Sequence, residues 1–182
     1  LVDASRIVIV SHVKSDPDAI GSTLGLGLAL TEMGKDVRLL NADPLPHRVK
    51  FLPHVGLISD TLAESYDFDL LVVVDSSDAE RIGEPFKPLL GRAPHVLVID
   101  HHVTNTRFGT INVVDDECSS TSEVLIGLLD VFPHPLSPDV ATCLGAGIVG
   151  DTIMFSIPSV SPQTFRAAAR LLESGANLSE IN

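Results

Sequence analysis

Short runs of consecutive apolar residues, each closing on an acidic or histidine-bearing segment, constrain this chain more than any other feature. Residues 7–10 lead into His12-x3-Asp16-x-Asp18, residues 70–74 into Asp75, and residues 96–99 into Asp100-His101-His102. Asp151 follows the glycine-rich stretch 145–150. Runs so short and so apolar suit strands buried on both faces, as in a parallel sheet. If they are parallel strands, their ends bring these side chains to one edge, where open α/β sheets bind ligands. Aspartates and histidines converging on one crevice would repel unless cations sat among them, which points to a two-metal hydrolase.

The remaining segments fit one α/β domain. Residues 6–11 read as a first strand, with Asp18 or Ser22 capping a helix over 21–33 that Gly34 stops, and 37–40 as a second strand. Pro44, Pro46 and Pro53 break the next segment, where 48–52 suits a short helical turn. Residues 70–74 and 96–99 are strongly β, and 110–114 more weakly so. Ser119 to Ser122 could cap a helix over 123–129, and Pro133, Pro135 and Pro138 mark a loop. Pro138 to about Ile148 reads as a helix, and 162–174 as another with Gly175 after it. Strands alternating with helices predict a mostly parallel sheet with helices on both faces. A length of 182 residues suits a single domain.

Composition narrows the partners. The formal charge is −12, from 24 acids against 12 Lys and Arg. Long nucleic acid is gripped by basic surfaces, so any nucleic-acid substrate is expected to be short and held at its end. Cys118 and Cys143 are too few for a disulfide framework and fit reduced, buried thiols in a cytoplasmic protein. No apolar stretch reaches the ~18 residues of a membrane span, and no signal-peptide pattern opens the chain. The polar tail 178–182 is expected to lead into a further segment.

Taken singly, most of the motifs have ordinary explanations. Asp16 or Asp18 would serve as a helix N-cap, Asp75 as a solvated strand-end acid, and Asp151 as a helix-end or turn acid. Asp78 is read as part of a surface turn, while Arg81 either pairs with a carboxylate or is solvated. Asp100-His101-His102 is harder to explain so plainly. Adjacent histidines after a buried strand point in different directions, one toward metal and the other toward substrate, and the preceding acid can orient an imidazole by accepting its second N–H. His47, His54, His95 and His134 lie near prolines and are read as surface residues. Ser119 to Ser122 lacks a Gly-x-Ser-x-Gly elbow, and Gly21 to Gly27 lacks the lysine of a phosphate-binding loop. Carboxylate and imidazole ligands without thiolate favour Mn²⁺ or Mg²⁺ over structural zinc.

In order, His12-x3-Asp16-x-Asp18-Ala19-x-Gly21-Ser22, Val73-Val74-Asp75, Asp100-His101-His102 and Gly147-Ile148-Val149-Gly150-Asp151-Thr152 resemble the motifs of the DHH phosphoesterase family. The likeness is nearest to its DHH–DHHA1 branch of nano-RNases and pAp phosphatases (NrnA-like), where segments such as Ser120-Thr121-Ser122-Glu123 and a His-His-x-x-Asn run ending at Asn105 also occur. Ser15 stands where many relatives have Pro. The resemblance implies that residues 1–182 are a catalytic DHH domain and that a C-terminal DHHA1 substrate-binding domain belongs with it. Nothing after Asp151 supplies the Gly-rich, His-containing motif of that second domain, so this is expected to be the catalytic half of a longer protein.

The resemblance also implies roles. His12 and Asp16 would hold one Mn²⁺, and Asp18, His101 and Asp151 a second, with Asp75 bridging; Mg²⁺ is the alternative ion. A water activated between the ions would attack phosphorus, His102 would stabilise phosphoryl charge, and Asp100 would orient a histidine. Asn105 and Arg107 would touch phosphate, unless they are simply an exposed loop. The implied substrates are short 5′-phosphorylated oligonucleotides and 3′-phosphoadenosine 5′-phosphate. A family II-type inorganic pyrophosphatase is the alternative, and a non-catalytic phosphate- or metal-binding module is the alternative from another class. A homodimer is compatible with the resemblance, and no membrane partner is expected.

Overall fold

The computed structural model describes residues 1–132, 134–177 and 179, so Pro133 and the tail 178–182 apart from Ser179 lie outside it. Strands β1 (Arg6–Val10), β2 (Asp36–Leu40), β3 (Ile58–Ser59), β4 (Leu70–Val74), β5 (Val96–Asp100) and β6 (Ile111–Val114) form one sheet in the order β3-β2-β1-β4-β5-β6. Every pairing in it is parallel, with Ile9 opposite Leu39 on one side and Val72 on the other. β-Branched side chains dominate β1, β4 and β5, and they fill both faces of the pleat. Alternation then divides them. Ile7, Ile9, Val72, Val74, Leu97 and Ile99 enter one core, while Val8, Val10, Leu71, Val73, Val96 and Val98 enter the other.

The helices are α1 (Pro17–Glu32), α2 (Pro88–Arg92), α3 (Thr121–Leu129), α4 (Pro138–Asp151) and α5 (Pro162–Glu173). Both faces are covered, but unequally. Side chains from α1, α3, α4 and α5 share the first core, whereas the second holds Leu89 of α2 with Ile82 and Phe86. α1 is buried on nearly all sides from Asp18 to Leu30, which its apolar sequence permits. Glycines let α4 approach it closely: a Cβ added at Gly21 would collide with the Cys143 carbonyl, and one at Gly25 would stand 2.6 Å from Leu144.

Several elements differ from expectation. α1 starts at Pro17 rather than after Asp18 or Ser22, because Asp16 caps it and proline suits the first helical position. α4 continues past Ile148 to Asp151. β3 was not expected; it is a two-residue edge strand too short to carry a periodic signal. The turn expected over 48–52 is a 3₁₀ turn at His47–Val49. Among the described residues, no helix is long and apolar enough to cross a membrane.

The strand order places a switch between β1 and β4. From β1 the chain moves outward through β2 and β3, then returns to β4 and moves outward the other way. The crevice beyond the carboxyl ends of β1 and β4 is where such a sheet receives a ligand.

Candidate metal centre

Three strand ends and three helix ends converge on that crevice. His12 follows β1 and is only 3% exposed. Its Nδ1 lies 2.7 Å from the Val13 carbonyl, which can only accept, so Nδ1 carries a proton. Nε2 is thereby aimed at the crevice, 3.3 Å from Asp75 Oδ2 and 3.7 Å from Asp16 Oδ2. Asp16 has both of the roles weighed for it. Its Oδ1 caps α1 by accepting from the Asp18 and Ala19 amides at 3.0 Å, while Oδ2 faces His12.

Asp18 points the other way, from the first turn of α1 to the N-terminus of α3. It is fully buried, and its two oxygens accept from the Thr121 amide at 2.6 Å and the Ser122 amide at 3.0 Å. Asp75 stands at the end of β4 in the left-handed region, with φ of 56°. It is 1% exposed. Besides His12 on Oδ2, its Oδ1 accepts from the Thr121 hydroxyl at 2.9 Å and lies 3.8 Å from both His101 Nε2 and His102 Nδ1.

The two adjacent histidines divide as their direction requires. His101 Nε2 lies 3.2 Å from Asp151 Oδ2, which the last turn of α4 delivers; a helix end, not a strand end, brings this acid to the edge. His102 Nδ1 lies 2.8 Å from Asp100 Oδ1, so it donates there and leaves Nε2 on the partly exposed side of the ring. Asn105 donates to Asp100 Oδ2 at 2.6 Å and to the Ser76 carbonyl at 3.1 Å, and its own oxygen accepts from the Arg107 amide at 2.6 Å. The Asn105 amide is therefore engaged within the loop, whereas Arg107 is exposed.

The remaining candidates lie elsewhere. Asp78 caps a 3₁₀ turn, Arg81 meets the Ser77 hydroxyl at 3.4 Å, and His54 pairs with Asp139 at 2.9 Å. His47 and His95 are exposed, and His134 is partly so. Thr121 and Ser122 touch the centre although the sequence suggested only a capping role for that segment. The signal was present in Ser120-Thr121-Ser122-Glu123, but nothing local says which carboxylates the first turn of α3 will meet.

The donor set fits divalent cations. His12, Asp16 and Asp75 bring one ligand atom each within 4.8 Å of one another, as do Asp18, His101 and Asp151, and likewise Asp75, His101 and His102. His101 Nε2 is buried and has no hydrogen-bond partner, although it faces two carboxylates. A cation between them would satisfy it. Electrostatics agree with this. Burial opposes charge on His12, yet hydrogen bonds to Asp16 and Asp75 outweigh it and raise the imidazole to about 10. Burial likewise opposes charge on Asp16, but His12 and the capping amides hold it down at about 2. Burial pushes Asp18 well above the usual carboxylate range, with Asp75 and Asp151 adding repulsion. Asp151 is pushed up to about 6, first by burial, with His101 pulling down and Asp75 and Asp16 pushing up. Without cations, protons supply the missing positive charge.

Comparison with known sequences decides the family. A sequence profile described as DHH family, N-terminal domain, matches residues 6–148. The chain belongs to the DHH family. Among DHH relatives, it is 37% identical over 176 residues to a Thermus thermophilus protein named bifunctional oligoribonuclease and PAP phosphatase NrnA, covering 96% of this chain and 52% of that one. A Bacillus subtilis protein of the same name is 30% identical over 178 residues, with 96% and 55% covered. The crystal structure of an exopolyphosphatase-related protein from Bacteroides fragilis superposes with a TM-score of 0.89 at 29% identity, covering 99% of this chain and 56% of that one. The chain thus spans about half the length of the DHH relatives it matches.

Proposed function

We propose that this DHH domain carries a two-cation phosphoesterase centre that hydrolyses short 5′-phosphorylated oligoribonucleotides, 3′-phosphoadenosine 5′-phosphate, or both. The observation that carries the reading is the position of Asp75. Its Oδ2 faces His12 and its Oδ1 faces His101, so one carboxylate stands between the two ligand clusters. In this reading His12 and Asp16 hold one ion, Asp18, His101 and Asp151 hold the other, and Asp75 is shared. Hard oxygen and imidazole donors suit Mn²⁺, with Mg²⁺ as the alternative. The ions would supply an activated water near neutral pH and neutralise charge on phosphoryl oxygens.

The chain's own residues do the rest. The hydrogen bond to Asp100 raises His102 from its ordinary value, against burial that lowers it. With Nδ1 donating to Asp100, Nε2 of the ring, when protonated, would face a phosphoryl oxygen whose charge grows in the transition state. Asp100 and Asn105 act through His102 by fixing its ring. A formal charge of −12 agrees with short substrates. A cytoplasmic setting, where Cys118 and Cys143 stay reduced, belongs to the same proposal.

The test is Mn²⁺-dependent turnover of a 5′-phosphorylated dinucleotide, 3′-phosphoadenosine 5′-phosphate and pyrophosphate, side by side. Release of mononucleotide or AMP with pyrophosphate intact is expected. Cleavage of pyrophosphate alone would replace this reading with that of a pyrophosphatase. Mn²⁺ binding without turnover of any of the three would leave a binding module.

A further inference from the structure

We propose that Thr121 is a positioning residue whose hydroxyl fixes the Asp75 carboxylate so that one oxygen faces each cation pocket. The inference rests on the two-cation reading above and deepens it. Asp75 leaves the sheet at a left-handed residue, so the regular strand geometry of β4 does not set the direction of its side chain. Something outside the strand must hold it. On one side the Asp75 Oδ2 is met by His12 Nε2 at 3.3 Å. On the other, Thr121 Oγ1 is the nearest hydrogen-bond donor to Oδ1, at 2.9 Å, and the whole Thr121 side chain is buried.

A hydroxyl has one proton to give, and two carboxylates lie within reach of this one. Asp75 Oδ1 is at 2.9 Å and Asp100 Oδ1 at 3.5 Å. Asp100 is already served by His102 at 2.8 Å and Asn105 at 2.6 Å. The shorter distance and the unmet need both assign the proton to Asp75. The hydroxyl itself is well anchored, because the Thr121 and Ser122 amides bind the two oxygens of Asp18. The first turn of α3 thereby holds an Asp18 carboxylate through its backbone and the shared Asp75 carboxylate through one side chain. The separation between the two pockets' carboxylates is set by this single helix turn.

The experiment compares Mn²⁺ affinity and stoichiometry in the wild type, Thr121→Val and Thr121→Ser, from the electron paramagnetic resonance signal of free Mn²⁺. Valine keeps the shape and removes the donor; serine keeps the donor and removes the methyl group. Loss of a hydrogen bond behind a ligand typically weakens metal binding about 10–100-fold, which is the loss expected for valine, while serine stays near wild type. If the residue merely packs, the order reverses, with valine near wild type and serine impaired; that result overturns the proposal. Should valine fail to fold, Thr121→Ala against Thr121→Ser gives the same comparison, and equal losses in the two overturn it. Two ions bound by the valine variant with wild-type affinity defeat the Thr121 proposal while leaving the two-cation reading in place. A wild type that takes up no Mn²⁺ defeats the two-cation reading and this inference with it.

Discussion

Gly147 on α4 leaves space for the Asp18 carboxylate on α1 and for little else: a methyl group built on it would lie 2.5 Å from Asp18 Oδ1 and closer still to Ser122 Oγ. The carboxylate cannot easily give way, since two α3 amides hold it. Gly147→Ala should therefore destabilise the fold by about 1–3 kcal/mol, the usual consequence of overpacking, and weaken Mn²⁺ binding. Denaturant unfolding and a Mn²⁺ titration measure the two effects. Wild-type behaviour in both would mean that the three helices relax around the extra methyl group.

Cation binding should expel protons. Without cations, the folded value of about 10 for His12 lies above its ordinary 6.5, so its stabilisation is complete below pH 6.5 and lost as pH rises through about 10. Asp16, near 2 against 3.8, contributes above pH 3.8 and loses that contribution as pH falls through about 2. Asp151, raised to about 6, must ionise before it can serve as a ligand. The increase in melting temperature on adding Mn²⁺ should accordingly be larger at pH 8 than at pH 5, with acid released in weak buffer. A larger increase at the acid end would contradict this charge assignment.

His101 and His102 should separate in their effects. His101→Ala removes the unpartnered Nε2 and is expected to impair Mn²⁺ binding. His102→Ala is expected to leave most of that binding intact and to lower kcat about 10²–10³-fold, the scale of losing one preorganised donor. Parallel titrations and kinetics with 3′-phosphoadenosine 5′-phosphate test this; equal losses of metal from both variants would place His102 among the ligands.

Both cysteines should resist alkylation in the native protein. Burial, with nearby acids, pushes the thiols of Cys118 and Cys143 up to about 12, so little thiolate exists near pH 8. Iodoacetamide labelling read by mass spectrometry should be slow without denaturant and rapid in it. Fast native labelling at Cys143 would indicate local opening of α4.

The sheet was largely legible because its signal is local. β4 coincides with the run 70–74, five buried apolar residues that need no partner to be read as a strand. The start of α1 was misread although Pro17 marks it, because Asp16 and Asp18 compete as caps and only the fold shows that Asp18 faces α3. The acids and histidines that crowd the crevice were named from sequence, and the grouping implied by the resemblance coincides with two of the clusters seen here. What stayed hidden depends on long-range contact. Thr121 meets Asp75 across 46 positions of sequence, and Asp151 arrives on a helix whose packing on α1 is set by glycines.

The clusters draw on β1, α1, β4, the segment after β5, and the final turn of α4, so no fragment ending before α4 can assemble the one that includes Asp151. Parallel pairings between strands distant in sequence form slowly, because loop closure precedes any contact. Full Mn²⁺ affinity should therefore emerge only when α4 docks, and a manganese signal followed during refolding would time the completion of the chain rather than its collapse.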